Sequence, residues 1–557
     1  MPKSDTQSIQ PSRQSELKSE FKASELAKLK PYFSNLDRPV FVLKNLPEVI
    51  KGALFSRYSR TDKSLRRVLL DEFINNQEAG LAGLVSAEQS NDHSLAIQKA
   101  EEFYSRVLVG YGDDSVEELG GAHLAIEGVS RPVVKLIQDS RIGISPLEKS
   151  SRYVYFDQKI DGHYLYYRDP ELLASPHAKI YTDAMDQLFE TYAALIKPVK
   201  QYYQTEFPQQ SDETDRAYQS TIRAKVCDTL RGLLPLGVLS NTGLYGNGRS
   251  FRYLITKLLA SPWPEARQLA ETMHQELSTV IPSFVKRAND PKYGQPTIQY
   301  LETLRQTLTT KTAELASPLI SETFDDTQVK LTHYDPNDLD RSLAHLIFSQ
   351  SDLSLTQATH LVNQLEAKAV AELIESTTEP RQNRFHKPGR WLENNQLTYE
   401  LVTDYATFYD LHRHRTMTQE RQPLTPYFGL TVPSEIDALG LGDRYRLAMT
   451  QAVAAYETIY PDFPIQAQYL LPQAHRLRWY ITLNLREMIH IAELRTTPQG
   501  HPGYRLVVQQ MYQELIKRDA RLQPLFKFIN LETAIGLERR ESEKRLDQKL
   551  SQLKPTG

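Results

Sequence analysis

Leu411–Tyr427 reads LHRHRTMTQERQPLTPY, setting Arg413, His414 and Arg415 side by side before Pro423 and Pro426 end the segment. Three adjacent cation-capable side chains repel one another unless an anion lies among them. Phosphate suits them, because the planar guanidinium fork meets its oxygens two at a time. Standing alone, such a run is also what a solvated face looks like. Three further sets carry related chemistry. Glu148-x-Ser150-x-Arg152-Tyr153 offers an acceptor, a hydroxyl and a guanidinium on one face if the backbone is extended, and an ordinary polar strand would look the same. Arg231 precedes Asn247-Gly248-Arg249 by sixteen residues, and Gly243, Gly246 and Gly248 permit close backbone approach to a ligand or a plain connection between helices. Asn484, Arg486, His490 and Arg495 lie in NLREMIHIAELR, where positions 484 and 495 share nearly one helical face. Glu487 and Glu493 could equally pair with those arginines on a salt-bridged amphipathic helix.

The elements that would position these groups belong to an ordinary soluble chain. Its 557 residues allow two or more domains, with 40% apolar and 24% charged residues and a net charge of −3. That balance gives no global basic field for nucleic acid, so the basic clusters suit small anions. The single cysteine, Cys227, excludes a disulfide framework and reads as an inert buried thiol. No apolar window reaches the length of a membrane span, and the polar N-terminus lacks a secretory core, so a cytoplasmic protein is expected. There is no nucleophile elbow, phosphate-loop lysine or paired-histidine metal helix, and no metal is expected.

Residues 1–37 read as a disordered arm, followed by a strand at Pro39–Lys44 and a helix through Leu46–Tyr58. Helices are expected at Leu65–Asn76, Ser94–Val109 and Arg131–Gln138, and Ser115 with Glu118 makes a capping box. Ala122–Ile126 fits strand or helix, and Ser150–Asp157 reads as extended. Tyr181–Phe207, Asp215–Leu239, Ser250–Leu259, Pro264–Ile281 and Thr303–Ser317 follow as helices. Then the pattern recurs. Val329–Pro336 and the helix from Leu339 echo Val40–Pro47 and its helix, while Leu471-Pro472 and Asn484-Leu-Arg echo Leu234-Pro235 and Asn247-Gly-Arg. An internal duplication accounts for this, with copies at 38–290 and 327–530, a linker at 291–326, and a charged, solvent-facing helix within 531–557.

At this point the chain resembles the flavin-dependent thymidylate synthases, whose signature is Arg-His-Arg, seven residues, Ser, with Glu-x-Ser-x-Arg-Tyr at its end. The first copy follows the family at Ser115-Val-Glu-Glu118, Ile126-Glu-Gly-Val-Ser130-Arg131 and Glu148–Tyr153, but has Asp139-Ser140-Arg141 in place of Arg-His-Arg. The second keeps Arg413-His414-Arg415 but has Arg421, Pro423 and Thr425 where Glu, Ser and Arg would stand. Downstream the first copy keeps Arg231 and has Leu258 in place of a late arginine; the second has Gln468 and keeps the late Arg495. Asp410 stands where the family usually has Gln, and Asp113 where it commonly has His.

The resemblance implies an α+β fold, two tandem copies of a helix-rich unit each with a small antiparallel sheet. It also implies one composite site, with Glu148, Ser150, Arg152 and Arg231 as one wall and Arg413, His414, Arg415 and Arg495 as the other. The activity implied is FAD-dependent reductive methylation of dUMP to dTMP, with methylenetetrahydrofolate and NADPH as co-substrates. Glu148, Ser150, Arg152, Arg231, Arg413 and Arg495 would bind dUMP, with Ser150, Arg152 and Arg495 closest to the chemistry. Arg413, His414, Arg415, Asn484, Arg486 and His490 would hold FAD, with Ser115 and Glu118 from the first copy. The fused chain would pair into a homodimer resembling a tetramer. Two other readings stay open: a catalytically silent flavin- or nucleotide-binding relative acting as sensor or scaffold, and a helical RNA-binding protein.

Overall fold

The structure is a computed structural model that describes residues 20–75, 116–316, 326–533 and 536–553. The expected helix Ser94–Val109 and Ser115 lie outside these residues. Two compact units are present. One comprises the described residues up to Ile126, Leu136–Leu147 and the segment from Thr242 to Ala316; the other comprises Glu127–Lys135, Glu148–Asn241 and the described residues from 326 onward. This division is not that of the two copies read in the sequence, since residues of the first copy contribute to both units.

In the first unit, α1 (Glu48–Tyr58) buries Val49, Ile50, Ala53 and Leu54. Ile50, Ala53 and Leu54 join a core cluster with Leu29, Phe33, Leu69 and Phe73, so the described residues 20–37 are not the disordered arm expected: Ala23–Leu29 is a helix that buries Leu29 there. The expected strand Pro39–Lys44 is only an isolated bridge between Phe33 and Leu43, leaving Val40 and Val42 exposed. A strand needs a neighbour to satisfy its N–H and C=O groups, and β-branched composition alone supplies none. The helices α5 (Gly248–Leu259), α6 (Pro264–Ser278) and α7 (Gly294–Ala316) complete the unit.

In the second unit, α3 (Ala178–Glu206) packs on α4 (Asp215–Leu230) and α10 (Gly442–Ile459). A four-stranded antiparallel sheet runs in the order β4-β5-β7-β6, from β4 (Gln328–His333), β5 (Leu397–Asp404), β6 (Thr418–Arg421) and β7 (Arg476–Leu483). Its helices are α8 (Asp338–Ser349), α9 (Tyr405–Leu411), α11 (Leu485–Arg495) and α12 (Pro502–Arg518). The buried Tyr399 of β5 anchors α12 by donating its hydroxyl hydrogen to Met511 O at 2.9 Å.

A three-stranded sheet, β1 (Gly121–Ser130), β2 (Ile144–Glu148) and β3 (Leu239–Asn247), has the order β1-β3-β2. Its strand order repeats that of β5, β7 and β6. In each case the first strand runs straight into a helix, α2 (Arg131–Gln138) or α9, and the last strand into α5 or α11. Asn247 and Asn484 cap these last helices alike, accepting from Ser250 N at 2.8 Å and Glu487 N at 2.9 Å.

The duplication also shows where equivalent segments meet inside the second unit. Leu236 N–H donates to Leu471 O at 2.9 Å and Gln473 N–H to Leu234 O at 3.0 Å; Gly237 donates to Tyr469 at 2.8 Å and Ala474 to Gly232 at 3.0 Å. A shift of 237 residues exchanges the bonds of each pair, taking Leu236 to Gln473 and Leu234 to Leu471. Such reciprocity is what a local twofold axis requires.

Three further expectations are corrected. Ser150–Asp157 is not a strand: β2 ends at Glu148 and the chain turns, with Ser150 Oγ accepting the Arg152 backbone N–H at 3.2 Å. The expected helix Asp215–Leu239 stops at Leu230, and the glycine-rich stretch is β3, where a Cβ on Gly246 would collide with Ile144 and Phe251. Packing, not ligand approach, explains that glycine. The charged helix α13 (Arg540–Leu553) is also not simply solvent-facing. Its segment docks along α4 through Lys225–Glu538 at 3.0 Å, Arg216–Asp547 at 2.8 Å and Lys544–Asp212 at 2.9 Å.

Candidate active site

The second unit brings both expected walls within contact distance. Glu148, at the end of β2, is buried and accepts a hydrogen bond from the Tyr409 hydroxyl. Arg131 Nη1 lies 3.8 Å and Arg413 Nη2 3.7 Å from its oxygens. Arg231, fully buried in the turn after α4, donates through Nη1 to Asp410 at 2.7 Å. Arg152 is gripped side-on by Asp228, with Nε and Nη2 each donating at 2.7 Å, while Nη1 donates to the Tyr504 hydroxyl at 3.3 Å. Tyr504 also presents its ring to Arg495, 5.5 Å from the guanidinium carbon.

Asp410 is the hub of this arrangement. Burial pushes its carboxyl toward the neutral form, but Arg231, Arg152 and Arg413 hold it far below the usual carboxylate range. Arg131 and Arg495 feel its charge as well. Asp228 is likewise held low by Arg152 against its burial. Arg131, Arg152, Arg231, Arg413 and Arg495 thus gather around Asp410, Asp228 and Glu148, with Arg413 partly exposed and the buried Asp404 also acting on Arg231. Arg131 and Arg231 are both buried, and Nε and Nη2 of each have no hydrogen-bond partner. A buried donor without an acceptor is costly, so this geometry fits a dianion with several oxygens.

His414 is set by its neighbours. Arg495 Nε can only donate, and it points at His414 Nε2 at 2.8 Å; Nδ1 therefore carries the hydrogen and donates to Glu487 at 3.0 Å. Burial pushes the imidazole down to about 4, so it is neutral at pH 7. His490 stacks edge-on at 5.6 Å, with Lys387 Nζ at 2.8 Å from its Nδ1. His414, Glu487 and His490 bring ligand atoms within 4.8 Å of one another, as a metal ion needs. The flanking Arg495 and Lys387 make that corner better suited to an anion.

The remaining expected residues divide. Arg415 is exposed. Asn484 spends its side-chain oxygen on the α11 cap, and Arg486 is engaged by Pro388 O at 2.9 Å and Glu393 at 2.7 Å. Glu118 lies in the other unit, exposed and paired with Arg249 at 2.8 Å. Sequence reading missed Asp228, Tyr409, Tyr504 and Lys387, and assigned Arg131 no role. Asp228 sits in the last turn of α4, three residues before Arg231, a spacing that could have drawn attention to it. The buried thiol of Cys227 is inert as expected, pushed up to about 12 by desolvation.

Fold and site together define a protein built from two copies of one strand–helix unit around a cluster of arginines and carboxylates. The sequence profile of the thymidylate synthase complementing proteins (Thy1) matches residues 68–283 and again 331–519, and the chain belongs to that family. It is 41% identical over 512 residues to a UPF0159 protein of Chlamydia pneumoniae, covering 92% of this chain and 95% of the relative. A UPF0159 protein of Chlamydia muridarum is 40% identical over 531 residues, covering 94% and 99%. A flavin-dependent thymidylate synthase of Pyrococcus abyssi is 27% identical over 137 residues, covering 24% of this chain and 55% of that one. A solved UMP/dUMP methylase, PolB of Streptomyces cacaoi bound with 5-Br dUMP, is 21% identical and covers 37% of this chain and 98% of its own, with a TM-score of 0.29. Membership places the chain among thymidylate synthase-like methyltransferases. No helix among the described residues is long and apolar enough to cross a membrane.

Proposed function

We propose that this chain converts dUMP to dTMP by FAD-dependent reductive methylation, using methylenetetrahydrofolate and NADPH, at one composite site drawn from both copies. The observation that carries the reading is the set of buried donors, Nε and Nη2 of both Arg131 and Arg231, that have no hydrogen-bond partner. A nucleotide monophosphate dianion offers the several oxygens such donors need. Arg231 and Arg131 would hold the phosphate. Arg152 and Arg495, linked through Tyr504, would meet uracil oxygens and stabilise negative charge developing there. Glu148 and Arg413 would orient the ring, and Ser150 fixes the turn that presents Arg152.

His490 and Lys387 fit the diphosphate of a dinucleotide and would hold FAD, while His414, with both ring nitrogens engaged, would shape that corner. When bound, reduced flavin supplies hydride and the folate supplies the one-carbon unit. Neutral His414 would act as a fixed hydrogen-bonding link that keeps Arg495 aimed toward the nucleotide. Asn484 and Arg486 would act by shaping α11, given their present partners.

One observation favours a second reading, a silent nucleotide- or flavin-binding relative: Asp410 already holds Nη1 of Arg231 and sets a negative charge beside its two open donors. Two measurements separate the readings. Flavin absorption bands in the purified protein, followed by tritium release from 5-tritiated dUMP with folate and NADPH, support the synthase. A protein that holds FAD and binds dUMP yet releases no tritium is the silent relative.

A further inference from the structure

The segment leading into α13 does more than lie along α4. Arg539, just before the helix, is buried, with its side chain 8% exposed. Its guanidinium carbon sits 4.4 Å from the centroid of the Tyr153 ring. Its Nη2 lies 3.8 Å from Asp228 Oδ2, and its Nη1 is buried with no hydrogen-bond partner. Asp228 is the carboxylate that grips Arg152, so one acid faces two guanidiniums from opposite chain segments. Arg152, Asp228, Lys225, Gly500 and Arg539 enclose a void of about 10 Å³, room for roughly one water.

One carboxylate can neutralise only one of its two arginines, so the trio keeps a net positive charge beside the anion site. At 3.8 Å Arg539 does not compete for the bidentate geometry of Arg152; it acts on the Asp228 charge through space. Stacking on Tyr153 gives it a second hold on Arg152, through the adjoining backbone turn. Flanking ion pairs pin the segment: Glu538 with Lys225 at 3.0 Å, and Lys544 with Asp212 at 2.9 Å.

We propose that Arg539 is a positioning residue of the nucleotide site, which shares Asp228 with Arg152 and keeps that arginine oriented toward the ligand. The segment from Leu537 through α13 is then the strap that delivers it. This inference rests on the nucleotide reading above.

The test is the dissociation constant for dUMP, measured calorimetrically on the full-length, FAD-loaded protein. Arg539→Ala should weaken dUMP about ten-fold, the loss typical of a charge-assisted contact, and Arg539→Lys should recover most of it. Lys544→Ala, which loosens the same helix without touching Asp228, should change binding less than about two-fold. Because Arg539 acts through Arg152, Arg152→Ala combined with Arg539→Ala should bind no more weakly than Arg152→Ala alone. Wild-type affinity in Arg539→Ala, additive losses in the double variant, or an equal loss in Lys544→Ala would each overturn the proposal and leave the nucleotide reading intact. Absence of dUMP binding in the wild type would instead sink the nucleotide reading, and this inference with it. If Arg539→Ala melts below the assay temperature, Arg539→Gln under the same criteria decides.

Discussion

The two copies share strand order and helix caps, yet at the turn after their first helix they have gone separate ways. After α2 the chain reads Asp139-Ser140-Arg141, with Arg141 at a positive φ of 55°; after α9 it reads Arg413-His414-Arg415, with His414 buried between Glu487 and Arg495. In the turn before β3 the first copy offers Arg231, and in the turn before β7 the second offers Gln468. The difference teaches that a duplicated fold can keep its scaffold symmetric while its charges become asymmetric. Backbone hydrogen bonds around Pro235 and Pro472 are still exchanged by the 237-residue shift, because every buried N–H needs a partner whatever the side chains do. Side chains facing a ligand carry no such obligation. Charge on one wall is useful only with its complement on the other, so losses can accumulate where the complement has gone.

The comparison breaks first at the walls. Arg152→Ala and Arg413→Ala should each lower tritium release from dUMP by roughly a hundred-fold or more, as losing a preorganised charged donor does. Arg141→Ala, in the corresponding turn of the first copy, should stay within about two-fold. Comparable losses at Arg141 would mean that the first copy keeps a site of its own.

Next in size is Asp410→Gln. Removing one partner of a buried ion pair is costly, about 3–5 kcal/mol where nothing compensates, so the ligand-free melting temperature should fall. The released Arg231 should then bind dUMP more tightly, giving a larger ligand-induced rise in melting temperature than wild type shows. An unchanged or smaller rise would mean that Asp410 does not compete with the ligand.

Smaller still is a pH effect. Burial pushes His414 and His475 down to about 4 and His501 to about 3. In the unfolded chain each titrates near 6.5. Between that value and the folded one, the unfolded state binds protons that the folded state does not, so stability falls as pH drops from about 6.5 toward 4. Melting temperatures across that range should decline. His475→Val, which copies Val238 of the first copy, should make the decline shallower by about one proton; an unchanged slope would remove His475 from the account.

The smallest effect tests the symmetry itself. Asn247→Ala and Asn484→Ala each remove a helix cap and should cost about 1 kcal/mol apiece in denaturant unfolding. A much larger loss at Asn484 would show that this residue does more than cap α11.

The sequence by itself determined the helices with strong periodicity and the repeat, because these rest on local pattern and on residue types at fixed spacing. It also anticipated the buried, inert Cys227. It misread Pro39–Lys44 and Ser150–Asp157 as strands, since β-branched and aromatic residues mark a surface that can pack without supplying the neighbour a strand must pair with. It took β3 for a loop, because Gly246 is there for close packing against Ile144, a residue remote in sequence. What only the tertiary structure decided is which charges meet. Asp410 with Arg231, Asp228 with Arg152 and Arg539, and Arg495 with His414 are joined by folding across as many as 311 residues, from Asp228 to Arg539. A guanidinium's partner is set by distance in space and by the loss of water around it, and neither quantity is written in the spacing along the chain.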